Sequence, residues 1–210
     1  MKVISFYSDL HDDKYYSKCA DRLLKTCSEL NIDLELTEKE SLGSYRNNCL
    51  SKPVFIKEKL EQYNCPVIWI DVDTVFRRYP EAFYKITEEQ VDVAFSSSVP
   101  NIAGMKASPL YFSTSESSRF FLDEWINRCD IVLNEMKINF DHEVLFGVVQ
   151  SCIENTRFGI LPPEYCVWPH EVNENTVIEM GLSDAKDKIE LLKEMGIAGE
   201  LLKIQTVGIL

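Results

Sequence analysis

The stretch that most limits what this chain can become is VIWIDVDTVF, residues 67–76. Val67 to Ile70 are apolar and run directly into Asp71. Val72 follows, then a second acid at Asp73, and apolar residues resume. An apolar run of this kind reads as a buried strand. Side chains at i and i+2 of a strand share a face, so Asp71 and Asp73 are expected to converge on one point. Two carboxylates that close repel each other unless a cation joins them. A hard divalent ion, Mn2+ or Mg2+, answers that need and commonly bridges to the phosphates of a substrate. The plain alternative is that one acid caps the next helix and the other is solvated. The carboxyl ends of strands in open α/β sheets are also where ligands bind.

Around this stretch, strand and helix patterns alternate. KVISFYS reads as a first buried strand ending at Ser8 and Asp9. Tyr16, Cys19, Leu23, Cys27 and Leu30 then fall at helical spacing, with Asp12 or Asp13 near the N-cap. DLELTEK reads as a second strand and SLGSYRNNCLS as a loop. Pro53 suits the first turn of a helix reaching Tyr63, just before the 67–76 strand. EQVDVAFSSS and ASPLYFS are further strands. A long helix is expected from Ser115 to Met136, with Phe120, Phe121, Trp125 and Cys129 facing inward. Asp141 caps another helix, RFGILPPEYCVWPH is extended, and a last helix runs between a Ser183 cap and a Gly196 stop. Strands alternating with helices place the chain in the α/β class with a largely parallel sheet.

Composition narrows the function classes. A net charge of -12 argues against a nucleic-acid or anionic-membrane surface. No apolar run approaches the ~20 residues of a membrane span. The opening MKVISFYSDLHDD turns acidic too early for a signal peptide. The seven cysteines are odd in number and form no CxxC pair, which reads as reduced core thiols in a cytoplasmic setting.

Two enzyme families share the local acid pattern. WIDVDTV resembles the first motif of haloacid-dehalogenase phosphatases, with Asp71 as nucleophile and Asp73 as acid/base. That motif normally opens its chain, and no later strand after residue 100 ends in the paired acids the family needs. A second resemblance reaches further. NNCLSKPVFIKEKLEQYNCPVIWIDVDTVFRRYPEAF, NIAGMKASPLYFSTSESSRFFLDEW, FDHEVLFGVV and GILPPEYCVWPH are similar, in order and spacing, to blocks of the GT-A-fold glycosyltransferases that use nucleotide-diphosphate sugars. Together these cover roughly residues 1–170. Within that family the blocks are reminiscent of the amino-terminal transferase domain of a large viral enzyme that glycosylates a capsid protein, which would place further domains C-terminal to this chain.

The resemblance implies one GT-A domain over 1–210, with a Rossmann-like, mixed but mostly parallel sheet flanked by helices. About 1–100 would bind the nucleotide, about 101–175 the donor sugar and acceptor, and 176–210 would form a helical tail. It implies Mn2+ or Mg2+ held by Asp73, with Asp71 as second ligand or ribose contact and Val72 between them. His170 is the candidate third ligand. Tyr7 and Ser8 would lie by the base and ribose, Arg46 and Lys52 by the base edge or phosphates, and Ser108 by the donor sugar. Asp141 would recognise the sugar or take part in its chemistry, beside His142 where the family usually has Gln. Each has a plain reading too: Tyr7 as core, Arg46 and Lys52 as solvated loop charges, His170 as surface, Asp141 as a helix cap. The implied activity is transfer from a nucleotide-diphosphate sugar, UDP foremost, to a glycan or glycoprotein, with retention. A non-catalytic nucleotide-sugar-binding module is the third reading.

Overall fold

The computed structural model describes residues 1–9, 14–97, 104–134 and 141–181, without the side chains of His142 and Glu143. In chain order the elements are β1 (Lys2–Tyr7), α1 (Tyr15–Glu29), β2 (Leu34–Glu38), α2 (Tyr45–Leu50), α3 (Lys52–Tyr63), β3 (Val67–Trp69), β4 (Val75–Phe76), α4 (Ala82–Glu88), β5 (Val93–Ser97), β6 (Met105–Phe112), α5 (Glu116–Asn134), α6 (Asp141–Cys152), β7 (Phe158–Ile160) and β8 (Ile178–Glu179). Short 3-10 turns at Pro163–Tyr165 and Pro169–Glu171 lie between the last two strands. The main sheet has the order β2-β1-β3-β6-β5-β7. Its pairs are parallel except that β6 runs antiparallel to both β3 and β5. β4 and β8 form a separate antiparallel pair.

The period of two along β3 divides the core. Val67 and Trp69 pack with Phe55, Phe112, Phe121 and Trp125 on one face. Ile68, Ile70 and Val72 pack with Leu23, Phe83 and Tyr111 on the other. The strands are apolar on both sides because helices cover both faces.

The strand expected over 67–76 stops at Trp69. The last sheet bond runs from the Ile70 N–H to the Ile4 carbonyl (3.1 Å). The next N–H, of Asp71, donates to the side chain of Ser108 (2.9 Å) and so leaves the ladder. Thr74 N–H then donates to the Asp71 carbonyl (3.1 Å), closing a tight turn over 71–74. The two acids therefore sit on a turn, not side by side on a strand.

Three further expectations change. SLGSYRNNCLS contains α2, because Ser44 Oγ accepts the Asn47 N–H (3.1 Å) and so caps a helix. Asp12 and Asp13 lie outside the described residues, and Asp9 supplies the cap of α1: its Oδ1 accepts the Tyr16 N–H at 2.8 Å and the Ser17 N–H at 3.3 Å. Phe120 is 46% exposed while Phe121, Trp125 and Cys129 are buried. Those three recur every four residues on one helix face, and Phe120 stands about 100° away from it. The helix expected between Ser183 and Gly196 lies outside the described residues. Residues 178–179, assigned by sequence to a helical tail, form β8.

Candidate active site

The Asp71–Thr74 turn leaves the carboxyl end of β3 and is anchored from below by Val72, buried in the apolar face. Asp71 Oδ1 accepts the indole N–H of Trp69 at 3.0 Å and lies 3.0 Å from Lys52 Nζ. The same ammonium is 2.5 Å from Asp141 Oδ2 and 3.4 Å from the Ala107 carbonyl oxygen. One lysine therefore joins the start of α3, the turn after β3, the strand β6 and the start of α6.

That placement works against two ordinary preferences. A helix N-terminus carries partial positive charge and disfavours a cation, yet Lys52 is the first residue of α3. Lys52 is also only 4% exposed. Burial alone would lower its pKa, but Asp141 and then Asp71 outweigh it and raise the pKa well above an ordinary lysine. The ammonium is thus fixed as a cation. Asp141 sits at the first position of α6, where the helix end favours an acid.

Asp73 is buried. Its backbone carbonyl accepts a hydrogen bond from Arg22 of α1 at 2.9 Å. Gly181, just beyond β8, presses against it. A Cβ at 181 would stand 2.4 Å from the Asp73 carbonyl oxygen, 2.6 Å from its Cβ and 2.7 Å from its Cγ. Ser108 is buried beside Asp71, and its carbonyl lies 3.9 Å from Cys166 Sγ. Around Asp141, burial, reinforced by the Asp141 charge and eased by Lys52, pushes the Cys49 thiol up to about 12. Burial, with Cys49, Tyr16 and Asp141 adding to it, holds the Tyr45 phenol well above its usual value. Both side chains stay neutral at physiological pH.

Among the described residues, Tyr7, Ser8, Arg46 and His170 form no hydrogen bond or ion pair with Lys52 or Asp71. Tyr7 and Ser8 lie at the carboxyl end of β1, adjacent to β3. Burial and then Glu38 raise the Tyr7 phenol. Arg46 donates to the Val132 carbonyl at 2.8 Å, tying α2 to the end of α5. His170 is exposed on the 3-10 turn Pro169–Glu171. His142 follows Asp141 as the second residue of α6, and its side chain lies outside the described residues.

No protein-family model matches the sequence, and neither does any curated protein. Solved structures do match. The glycosyltransferase involved in glycosylation of the major capsid of PBCV-1 shares 11% identity at a TM-score of 0.64, over 94% of this chain and 100% of that one. The galactosyltransferase LgtC, solved with donor and acceptor sugar analogues, shares 8% identity at 0.53, over 95% and 96% of the two chains. Mouse xyloside xylosyltransferase 1 shares 7% identity at 0.56, over 87% and 98%. The chain has the GT-A glycosyltransferase fold. At these identities the likeness is one of fold.

Within the GT-A framework the donor set can be tested against a divalent ion. Asp71 and Asp73 offer hard oxygens on one four-residue turn, and Gly181 leaves the Asp73 side chain the space a Cβ would take. Among the described residues, no group of three or more His, Cys, Asp or Glu side chains is placed to hold a metal, and His170 does not join the two acids. Two carboxylates with the remaining positions open suit Mg2+ or Mn2+, which take one or two carboxylates and fill the rest with water and substrate phosphate.

Three residues around this acidic turn escape sequence reasoning. Trp69 stands two before Asp71, a same-face spacing that could have been read. Gly181 ends the short apolar run TVIEMG, a weak signal for close approach. Arg22 lies 51 residues from its partner and carries no sequence mark at all.

Proposed function

We propose that this chain is a metal-dependent glycosyltransferase that moves a sugar from a nucleotide-diphosphate donor, a UDP-sugar, to a glycan or glycoprotein acceptor with retention. The observation that carries it is the acidic Asp71–Asp73 turn at the carboxyl end of β3 in a GT-A fold, with Lys52 and Asp141 converging beside it. Asp73 and Asp71 would hold Mn2+ or Mg2+, which when bound neutralises charge on the leaving diphosphate.

The chain's own groups divide the rest. Lys52 stays protonated and keeps Asp71 and Asp141 oriented. Asp141, as a carboxylate, can accept hydrogen bonds from sugar hydroxyls while remaining paired with Lys52. Ser108 fixes the backbone of Asp71. Arg46, engaged by Val132, has no assigned part. A phosphatase would need Asp71 as its nucleophile. One oxygen of Asp71 is held by two donors, and the fold is GT-A, so transfer is favoured.

Thermal unfolding with UDP, GDP or dTDP, each with Mn2+ or EDTA, tests the proposal. A ligand at 100 times its Kd adds about 2.7 kcal/mol, which in a domain this size raises Tm by roughly 5–10 °C. The expected result is a UDP shift that needs Mn2+ and vanishes in Asp73→Ala. No shift with any nucleotide sinks the proposal. Nucleotide released only when donor and acceptor are both present separates an enzyme from a binding module.

A further inference from the structure

Among the described residues, the carboxylate of Asp71 is bonded on one side only. Oδ1 accepts the Trp69 indole N–H and faces the Lys52 ammonium, each at 3.0 Å. No hydrogen bond is made to Oδ2 among the described residues, and the side chain is 36% exposed. The indole itself is fixed. Trp69 is 2% exposed. Its ring centroid lies 5.2 Å from that of Phe6 and 5.9 Å from that of Phe55. The Lys52 ammonium stands 5.4 Å from the indole centroid.

A carboxylate turns easily about its terminal torsion and can offer either oxygen. Lysine is a compact charge with rotatable donors and does not by itself choose between them. A rigid indole N–H in the plane of a packed ring does. Unlike Lys52, it holds the acid without adding positive charge beside it.

We infer that Trp69 is a positioning residue that holds Asp71 with Oδ2 outward, as the oxygen offered to the metal–diphosphate. The inference rests on the reading of the Asp71–Asp73 turn as a cation site. Partners that orient a metal-binding carboxylate are typically worth about 10–100-fold in metal affinity.

The test is Mn2+ affinity in the presence of UDP, followed by the electron paramagnetic resonance of free Mn2+, on the full chain. Trp69→Phe keeps an aromatic ring and removes the donor, and is expected to weaken Mn2+ binding by about 10-fold. Replacing the indole with benzothiophene by site-specific incorporation keeps the bicyclic shape and serves if Trp69→Phe folds poorly. Phe55→Leu loosens the same aromatic cluster without touching the N–H, and is expected to lower Tm while leaving Mn2+ affinity intact. In an Asp71→Asn background the loss of the N–H should have no further effect. Unchanged Mn2+ affinity in both donor-less proteins, or equal additional loss in the Asp71→Asn background, overturns the inference. Wild-type protein that binds no Mn2+ with UDP overturns the reading of the site, and the inference with it.

Discussion

Lys52 and Asp141 form an ion pair of 2.5 Å in which both side chains are more than nine-tenths buried. Each makes the other's burial tolerable. Removing one partner of such a pair typically costs about 3–5 kcal/mol because a charge is left unpaired. Lys52→Met is therefore expected to lower the urea midpoint sharply and to abolish nucleotide binding. Lys52→Met combined with Asp141→Leu should recover part of the stability and none of the binding. A single Lys52→Met protein as stable as wild type would show that the pair is not buried in solution.

Gly181 and Gly43 should both lose stability to alanine but differ in what happens to the Mn2+-dependent UDP shift. At Gly181 the added Cβ meets the backbone and side chain of Asp73 at 2.4–2.7 Å, so β8 or the acidic turn must shift. Overpacking of this sort costs about 1–3 kcal/mol. Gly181→Ala should also lose the Mn2+-dependent UDP shift. Gly43 has φ +85, and nothing lies within 4 Å of where its Cβ would stand. Gly43→Ala should cost about 1 kcal/mol through backbone strain alone and keep the UDP shift. Calorimetric scans of both variants with and without UDP and Mn2+ decide this.

Asp9 caps α1 through the Tyr16 and Ser17 N–H groups, and its carboxylate also accepts the Ser17 hydroxyl. Asp9→Ala removes that cap and should cost about 0.5–2 kcal/mol, whereas Asp9→Asn should retain most of it. Chemical denaturation followed by far-ultraviolet circular dichroism gives the ranking. Equal stability of the Ala and Asn variants would show that the carboxylate is not the cap.

Alkaline pH should weaken the fold through its buried thiols. Burial pushes the Cys27 thiol up to about 12, above the ~8.5 of an exposed thiol. Between those values the folded state keeps a proton that the unfolded state has released. Stability is therefore lost as pH rises from ~8.5 toward 12, at up to about 1.4 kcal/mol per pH unit for each such thiol. Cys27→Ala should flatten the slope of unfolding free energy against pH in that window while lowering stability at pH 7. An unchanged slope would show that Cys27 is not the titrating group.

Much of the architecture was legible from periodicity. β1, β2, β5 and α1 fall where apolar runs and helical spacing put them, because burial on one or both faces leaves a repeat that local sequence carries, and α3 and α6 start where Pro53 and Asp141 mark a first turn. α2 was missed because its signal is a capping serine in a polar stretch with little apolar repeat. β8 was missed because a two-residue strand has no period to read, and β4 was run together with β3 in the one strand expected over 67–76.

The sequence by itself determined the class of fold and the presence of an acid pair after a buried strand, since both depend on neighbours along the chain. Only the tertiary structure decided what those acids meet. Trp69, Ser108, Lys52 and Asp141 reach Asp71 directly or through Lys52 from four elements, while Arg22 and Gly181 flank Asp73 from two more. Most of these contacts join residues far apart along the chain, and nothing local to any one of them encodes its partner. Burial made the difference for Lys52. In sequence it is one more charge near a proline, and only when packing strips its water does pairing with two aspartates become a physical necessity.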